Sequence, residues 1–146
     1  MQKPLKLLGL FNALKMGHCA PSVMRTLQES CSLKNENVLK STAGLPAGIG
    51  WMGNECGCVT SAVIILGLKY GHEQLRNKYA PLPKIIPVGQ AFLRKFKSAY
   101  GGIYCREISK IDYNEKELVR TGILGASSRC FKAICGGPGL LTDSMA

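Results

Sequence analysis

The chain has 146 residues and seven cysteines, and its 19 Lys and Arg outnumber its 9 Asp and Glu to give a net charge of +10. A chain of this length can bury a core without disulfides, and an odd number of irregularly spaced cysteines is unlike a secreted disulfide framework. We therefore expect one domain, residues 1–146, in a reducing, cytoplasmic compartment.

The N-terminal segment predicts a helix over Pro4–Met16 that ends at Gly17. Its apolar residues recur at close to helical spacing, which predicts a core-facing side at Leu5, Leu8, Phe11 and Leu14. Lys15 interrupts the apolar run and no small-x-small cleavage site follows, so we do not interpret this segment as a signal peptide. The longest uncharged apolar stretch, residues 57–68, is too short to cross a bilayer, and no membrane span is expected.

A second helix is predicted from Pro21 to about Ser32, with core residues at Val23, Met24 and Leu27. Cys19 then lies just before a helix N-terminus. Residues 43–53 carry four glycines and a proline, a composition too flexible for a regular element but suited to close backbone approach. We interpret this stretch as a binding loop.

The most informative segment follows, because Cys56 and Cys58 stand where an apolar helix over Gly57–Tyr70 begins, with Gly71 as its C-cap. Backbone N–H groups at a helix start have no intrahelical partner, and the helix dipole is positive there. A thiolate or a metal-bound sulfur is therefore favoured over a thiol at this point.

The rest of the chain is predicted to be helical as well. Prolines make a connector at Pro81, Pro83 and Pro87, after which a helix runs from about Val88 to Tyr100 and ends at Gly101-Gly102, just before Cys105. A weaker helix is predicted near Asn114–Arg120. The last helix is predicted over Ser127–Cys135, ended by Gly136-Gly137-Pro138 and followed by a frayed tail from Leu140 to Ala146. The fold class is all-α, a helical bundle with a Gly-rich loop.

Four thiols occupy comparable places in these elements: Cys19 and Cys56 precede helices, Cys105 follows a helix stop, and Cys130 lies in the last helix. A compact fold can bring them together. Their spacing does not match local zinc or ferredoxin patterns, which need ligands two to four residues apart.

Most of the chain resembles the family of redox-active proteins named for the pattern C_GCAxxG_C_C. The residues that carry the resemblance are Cys19-Ala20, the segment Gly53–Gly71 with Cys56-Gly57 inside it, Phe96 followed by Cys105, and Cys130. The resemblance implies a redox protein whose four shared cysteines hold an iron–sulfur cluster, and a relation to the helical split-Soret cytochromes. The Cys-x-x-Cys-His motif of those haem proteins does not occur in this sequence, so covalent haem is not expected.

Two residues depart from the family pattern. Cys58 stands where the family has Ala, and Ser61 stands where it has Gly. The extra thiol adds a candidate ligand, so the candidate cofactor-binding and metal-ligating residues are those that follow: Cys19, Cys56, Cys58, Cys105 and Cys130. Cys31 and Cys135 are left out of this site.

Three functions follow from these observations. The first is an iron–sulfur electron-transfer protein or oxidoreductase component. Its basic surface predicts an acidic redox protein as the partner, and the sequence is compatible with a homodimer. The second is a thiol–disulfide redox protein that uses Cys56 and Cys58. The third is a non-enzymatic module that is stabilised by structural zinc or binds nucleic acid. Nucleic acid is not the expected partner, because the basic residues are scattered and the densest group, Arg94-Lys95-Phe96-Lys97, belongs to an amphipathic helix.

Overall fold

A computed structural model describes residues 4–79, 84–111, 113 and 128–146. The helices in these ranges are α1 (Leu5–Met16), α2 (Cys19–Ser30), α3 (Glu36–Ser41), a 3₁₀ turn (Thr42–Gly44), α4 (Gly57–Tyr70), α5 (His72–Arg76), α6 (Ile85–Tyr100), α7 (Cys105–Ser109) and α8 (Ser128–Met145). The only extended pairing within the described residues is one isolated antiparallel bridge between Glu55 and Tyr104. The all-α prediction is confirmed.

Helix α4 lies at the centre of the bundle. It packs against α2, α6 and α8, while α1 packs against α2 and α8. The core residues that these helices contribute include Val23, Met24, Leu27, Val59, Ala62, Ile65, Leu66, Phe92, Phe96, Ala133, Ile134 and Leu141. The apolar segment that follows Cys56 is therefore a buried central helix, as the sequence predicts.

Helix α1 has the predicted bounds, and Gly17 ends it with a left-handed φ of 73°. Its predicted core face is right only in part, because Leu5 and Leu8 are half-buried. Leu14 is 75 % exposed and Phe11 51 % exposed, whereas Gly9 and Asn12 are buried. The buried face contains these two residues because Gly9 lets α1 approach the backbone of α8 closely, and the Asn12 amide donates to the Thr26 hydroxyl at 3.1 Å.

The last helix is longer than predicted. Gly136-Gly137-Pro138 does not end α8, which continues to Met145, and the tail predicted to be frayed carries the fully buried Leu141. The glycines lie inside the helix because they are packing positions. A Cβ on Gly137 would lie 3.3 Å from the Phe96 ring, and one on Gly136 would meet the Tyr100 hydroxyl. Contact with α6 thus outweighs the low helix propensity of these residues.

Other predicted boundaries shift slightly. Helix α6 begins at Ile85 and takes Pro87 into its first turn, where a missing N–H costs nothing, and Gly101 ends it with a φ of 84°. The helix predicted near Asn114–Arg120 and the prolines Pro81 and Pro83 lie outside the described residues. Among the described helices, none is long and apolar enough to cross a bilayer.

Candidate thiol site

Cys19 is the first residue of α2 and lies against the start of α4. A Cβ built on Gly57 would be 2.7 Å from its sulfur, so only glycine at this point lets the two helix starts meet. The buried Ser61 hydroxyl donates to the Ala20 carbonyl at 2.9 Å and ties the same two helices together one turn further on. The serine that departs from the family pattern therefore makes an interhelical hydrogen bond that a glycine cannot make.

Cys56 is the N-cap of α4, as predicted, and its side chain is buried. Its pKa is lowered from the usual 9.0 by a hydrogen bond from the Cys58 thiol, against the opposing effect of burial, with further hydrogen bonds from the backbone N–H groups of Cys58 and Val59. Of Cys19, Cys56, Cys58 and Cys105, Cys56 is therefore the thiol that ionises most readily. The helix-start argument from sequence identified the amides that stabilise its anion.

Cys58 lies two residues after Cys56, as the second residue of α4, and is almost fully buried. Its pKa is raised, first because its thiol donates to Cys56 and second because it is buried; negative charge on Cys56, Cys19 and Cys130 raises it further. A Cβ on Gly137 would approach the Cys58 Cβ to 3.7 Å, so Cys58 faces α8.

Cys105 is held beside Cys56 by the backbone. The Cys56 N–H donates to the Ile103 carbonyl at 2.8 Å, and the Cys105 N–H donates to the Asn54 carbonyl at 2.6 Å, on either side of the Glu55–Tyr104 bridge. Cys105 is also the first residue of a helix, α7, which the sequence analysis did not predict. The available signal was Glu107, whose carboxylate accepts from the N–H groups of Ile103 and Tyr104.

Tyr113 is a site residue that the sequence analysis missed. Its hydroxyl lies 2.7 Å from the Cys105 sulfur and 3.2 Å from the Ser109 hydroxyl. Its ring packs on Gly53, where a Cβ would come within 2.7 Å of it. Burial raises the Tyr113 pKa, as does the hydrogen bond with Cys105. No sequence motif surrounds this tyrosine, so only the fold identifies it.

Cys130 completes the group as the third residue of α8, where it is partly buried. Burial, together with the smaller effect of negative charge on Cys56 and Cys130, raises the pKa of Cys19 to about 11 and that of Cys105 to about 12. Negative charge on Cys19 also raises the pKa of Cys105. The predicted thiols are therefore close enough to interact electrostatically. Each of them lies at the N-cap or in the first turn of a helix.

The Gly-rich loop contacts this group directly. The backbone N–H of Ala47 donates to the Cys19 sulfur. Residues 47–51 all have positive φ values between 56° and 78°, including the β-branched Ile49, which rarely adopts this conformation. The Arg106 guanidinium donates to the carbonyls of Met52 and Gly53 and holds the far end of the loop against α7. The loop is thus fixed by hydrogen bonds rather than flexible.

The two remaining cysteines make other contacts. Cys31 is the C-cap of α2, at the opposite end of that helix from Cys19, and the Cys135 backbone packs on Gly9. All seven cysteines fall within the described ranges, and none forms a disulfide. Within those ranges, no three His, Cys, Asp or Glu side chains stand close enough together to hold one metal ion.

The comparisons with known proteins agree with the cysteine pattern. The chain matches the family described as "Putative redox-active protein (C_GCAxxG_C_C)" over residues 17–137. No curated protein and no solved structure matches the chain. The match covers all five clustered cysteines and most of the chain, so the protein belongs to the redox-active C_GCAxxG_C_C family.

Proposed function

We propose that the protein binds an iron–sulfur cluster through Cys19, Cys56, Cys105 and Cys130 and serves as an electron carrier or as a component of an oxidoreductase. The observation that supports this most is the gathering of these thiols from distant parts of the chain around the start of α4. Negative charge on Cys56 and Cys130 raises the pKa of both Cys19 and Cys105, so the group is costly to ionise fully without a cation to share. Iron would supply that cation and, with sulfide, one-electron chemistry.

The donors in the site suit such a cluster. Thiolates are the soft ligands that iron–sulfur clusters use, and the backbone N–H groups of Cys58 and Ala47 lie where they can donate to bound sulfur. The Gly57 and Gly53 positions keep two sides of the site free of Cβ atoms. Cys58 is a fifth candidate ligand, although its thiol is engaged with Cys56.

The spacing of the side chains favours a cluster over the zinc alternative. A tetrahedral zinc ion with Zn–S bonds of about 2.3 Å needs its sulfurs about 3.8 Å apart. In the part of the chain that the structure describes, no group of three candidate ligands meets the requirement for one metal ion. A cluster with several irons joins thiolates that are further apart than the ligands of a single zinc ion, so this requirement for close ligands does not apply to it.

The surface of the protein suggests the class of its partner. The net charge of +10 favours association with an acidic redox protein, because opposite charge raises the association rate. On α6, Arg94, Lys95 and Lys97 are exposed while Phe96 is buried, so these cations are available to such a partner.

Purification of the full chain without oxygen tests the proposed function. We expect a brown protein that contains iron and acid-labile sulfide in equal amounts. A colourless protein with stoichiometric zinc, or one without metal after reconstitution with iron and sulfide, would refute the proposal.

A pair of single variants tests the residues. Cys56→Ser removes the thiol with the lowered pKa and should abolish iron retention, whereas Cys31→Ser, at the far end of α2, should retain the wild-type iron content. Circular dichroism of both variants controls for folding. Full iron retention in Cys56→Ser would contradict the assignment of Cys56.

A second candidate function is supported by the hydrogen bond from the Cys58 thiol to Cys56. The Cys56 thiolate would attack a substrate disulfide, breaking its S–S bond and releasing one substrate thiolate. Cys58, once deprotonated, would then attack the mixed disulfide and release the second thiolate, so that the substrate gains the two electrons that the cysteine pair loses. Cys58→Ser should trap the mixed disulfide, which mass spectrometry detects. Iron-loaded wild-type protein that reduces no disulfide would exclude this function.

A further inference from the structure

Tyr113 and Cys105 are linked by a chain of hydrogen bonds whose direction can be worked out. The Ile111 backbone N–H can only donate, and it donates to the Ser109 hydroxyl oxygen at 3.2 Å. The Ser109 hydrogen is then available for the Tyr113 oxygen, 3.2 Å away. A thiolate that holds a metal has no hydrogen, so the Tyr113 hydroxyl is the donor to the Cys105 sulfur, at 2.7 Å.

The ordinary acidities of the two groups agree with this direction. A thiol is more acidic than a phenol, so a hydrogen bond between them leaves the hydrogen on Tyr113 and the negative charge on sulfur. The four residues therefore form a chain of hydrogen bonds, which we call the relay. In it each group donates to the next, in the order Ile111, Ser109, Tyr113 and Cys105.

Packing holds the relay in place. The Tyr113 ring lies on Gly53, with no room for a Cβ between them. The Gly53 carbonyl accepts from both the backbone and the side chain of Arg106, the residue after Cys105. The ring is therefore fixed against a segment that is itself bonded to the cysteine's neighbour, which limits its movement away from the sulfur.

We propose that Tyr113 is a positioning residue that donates a hydrogen bond to the Cys105 sulfur and raises the reduction potential of a cluster bound through that sulfur. This inference rests on the proposed function. Hydrogen bonds to cluster sulfurs stabilise the more electron-rich reduced state, and they are one of the main influences on cluster potential. The effect belongs to Tyr113 and Ser109, two residues outside the cysteine pattern that defines the family.

The test compares the midpoint potentials of four anaerobically purified proteins: wild type, Tyr113→Phe, Ser109→Ala and the control Tyr104→Phe. Tyr113→Phe keeps the ring on Gly53 and removes only the hydroxyl, so its iron content should equal that of wild type while its potential moves to a more negative value. Ser109→Ala removes the donor that orients the Tyr113 hydrogen, and a smaller shift in the same direction is expected. Tyr104 is exposed and precedes Cys105, so its variant should keep the wild-type potential.

The outcomes separate this inference from the proposed function. An unchanged potential in Tyr113→Phe with full iron content would overturn the role of Tyr113 and leave the proposed function standing. Loss of iron from Tyr113→Phe with unchanged circular dichroism would show that Tyr113 retains the cluster rather than tuning its potential. Absence of iron from wild type would overturn both.

Discussion

Gly57 and Cys19 are in contact at the point where α4 and α2 begin, and a Cβ built on Gly57 would lie 2.7 Å from the Cys19 sulfur and 3.0 Å from Ala20. The packing of α2 against α4 thus requires a glycine at position 57, next to Cys56 in the family's central motif. Gly57→Ala should destabilise the protein by about 1–3 kcal/mol, because the inserted methyl group must push α2 and α4 apart. Urea unfolding measures the change.

Gly67 provides a matched control on the same helix. A Cβ there meets nothing within 4 Å, and the residue is exposed in α4. Gly67→Ala should therefore stabilise the protein by about 0.5–1 kcal/mol through helix propensity. If both glycine variants were equally stable, the Gly57–Cys19 contact would have no energetic importance.

Two leucines test the corrected positions of α1 and α8. Leu141→Ala removes a fully buried side chain from the end of α8 and should cost about 2–5 kcal/mol of unfolding free energy. Leu14→Ala, on the exposed side of α1, should change it by less than about 0.5 kcal/mol. Thermal unfolding of the two variants measures the contrast, and a larger loss for Leu14→Ala would contradict the packing described for α1.

The sequence predicts the parts of the fold that depend on local signals. Gly17 and Gly101 end helices in the left-handed conformation, and Cys56 caps the helix that its apolar neighbours form. These features need only a few consecutive residues to specify them. The helix-start environment of Cys56 was predictable for the same reason.

The rest depends on contacts between distant residues. Gly137 resembles a helix stop in sequence, yet the Phe96 ring of another helix requires a small residue there and keeps α8 continuous. The apolar residues of α1 do not mark its buried face, because the polar Asn12 has a partner, Thr26, in α2. Tyr113 was not predicted, since its role comes only from its distance to Cys105.

The pKa values of two cysteines predict how the stability of the metal-free protein depends on pH. Burial raises the Cys19 pKa from 9.0 to about 11 and the Cys105 pKa to about 12. Above pH 9.0 the unfolded chain releases these protons while the folded protein keeps them, so stability is fully present below about pH 9 and falls as pH rises towards 12.

The variant Cys19→Ser isolates one of these contributions. Between about pH 8 and pH 11, the unfolding free energy of wild type should fall by up to about 3 kcal/mol more than that of Cys19→Ser. Urea midpoints across this range, measured with a chelator and a reductant present, give the comparison. Parallel curves for the two proteins would show that the Cys19 pKa is the same in the folded and unfolded states.

Ser61, which stands where the family pattern has glycine, tests whether this serine stabilises the packing of α2 against α4. Its buried hydroxyl donates to the Ala20 carbonyl across the α2–α4 contact, so Ser61→Ala should cost about 0.5–1.5 kcal/mol. Ser61→Gly restores the residue of the family pattern but adds backbone entropy in mid-helix, and it should cost about 1 kcal/mol more than alanine. Within the described part of the chain, the hydroxyl of the neighbouring Thr60 donates only inside its own turn, so Thr60→Ala is the control and should have a smaller effect than Ser61→Ala. Urea unfolding of the three variants orders them. A Ser61→Gly protein as stable as wild type would mean that the hydrogen bond to Ala20 contributes nothing to holding the two cysteine-bearing helix starts together.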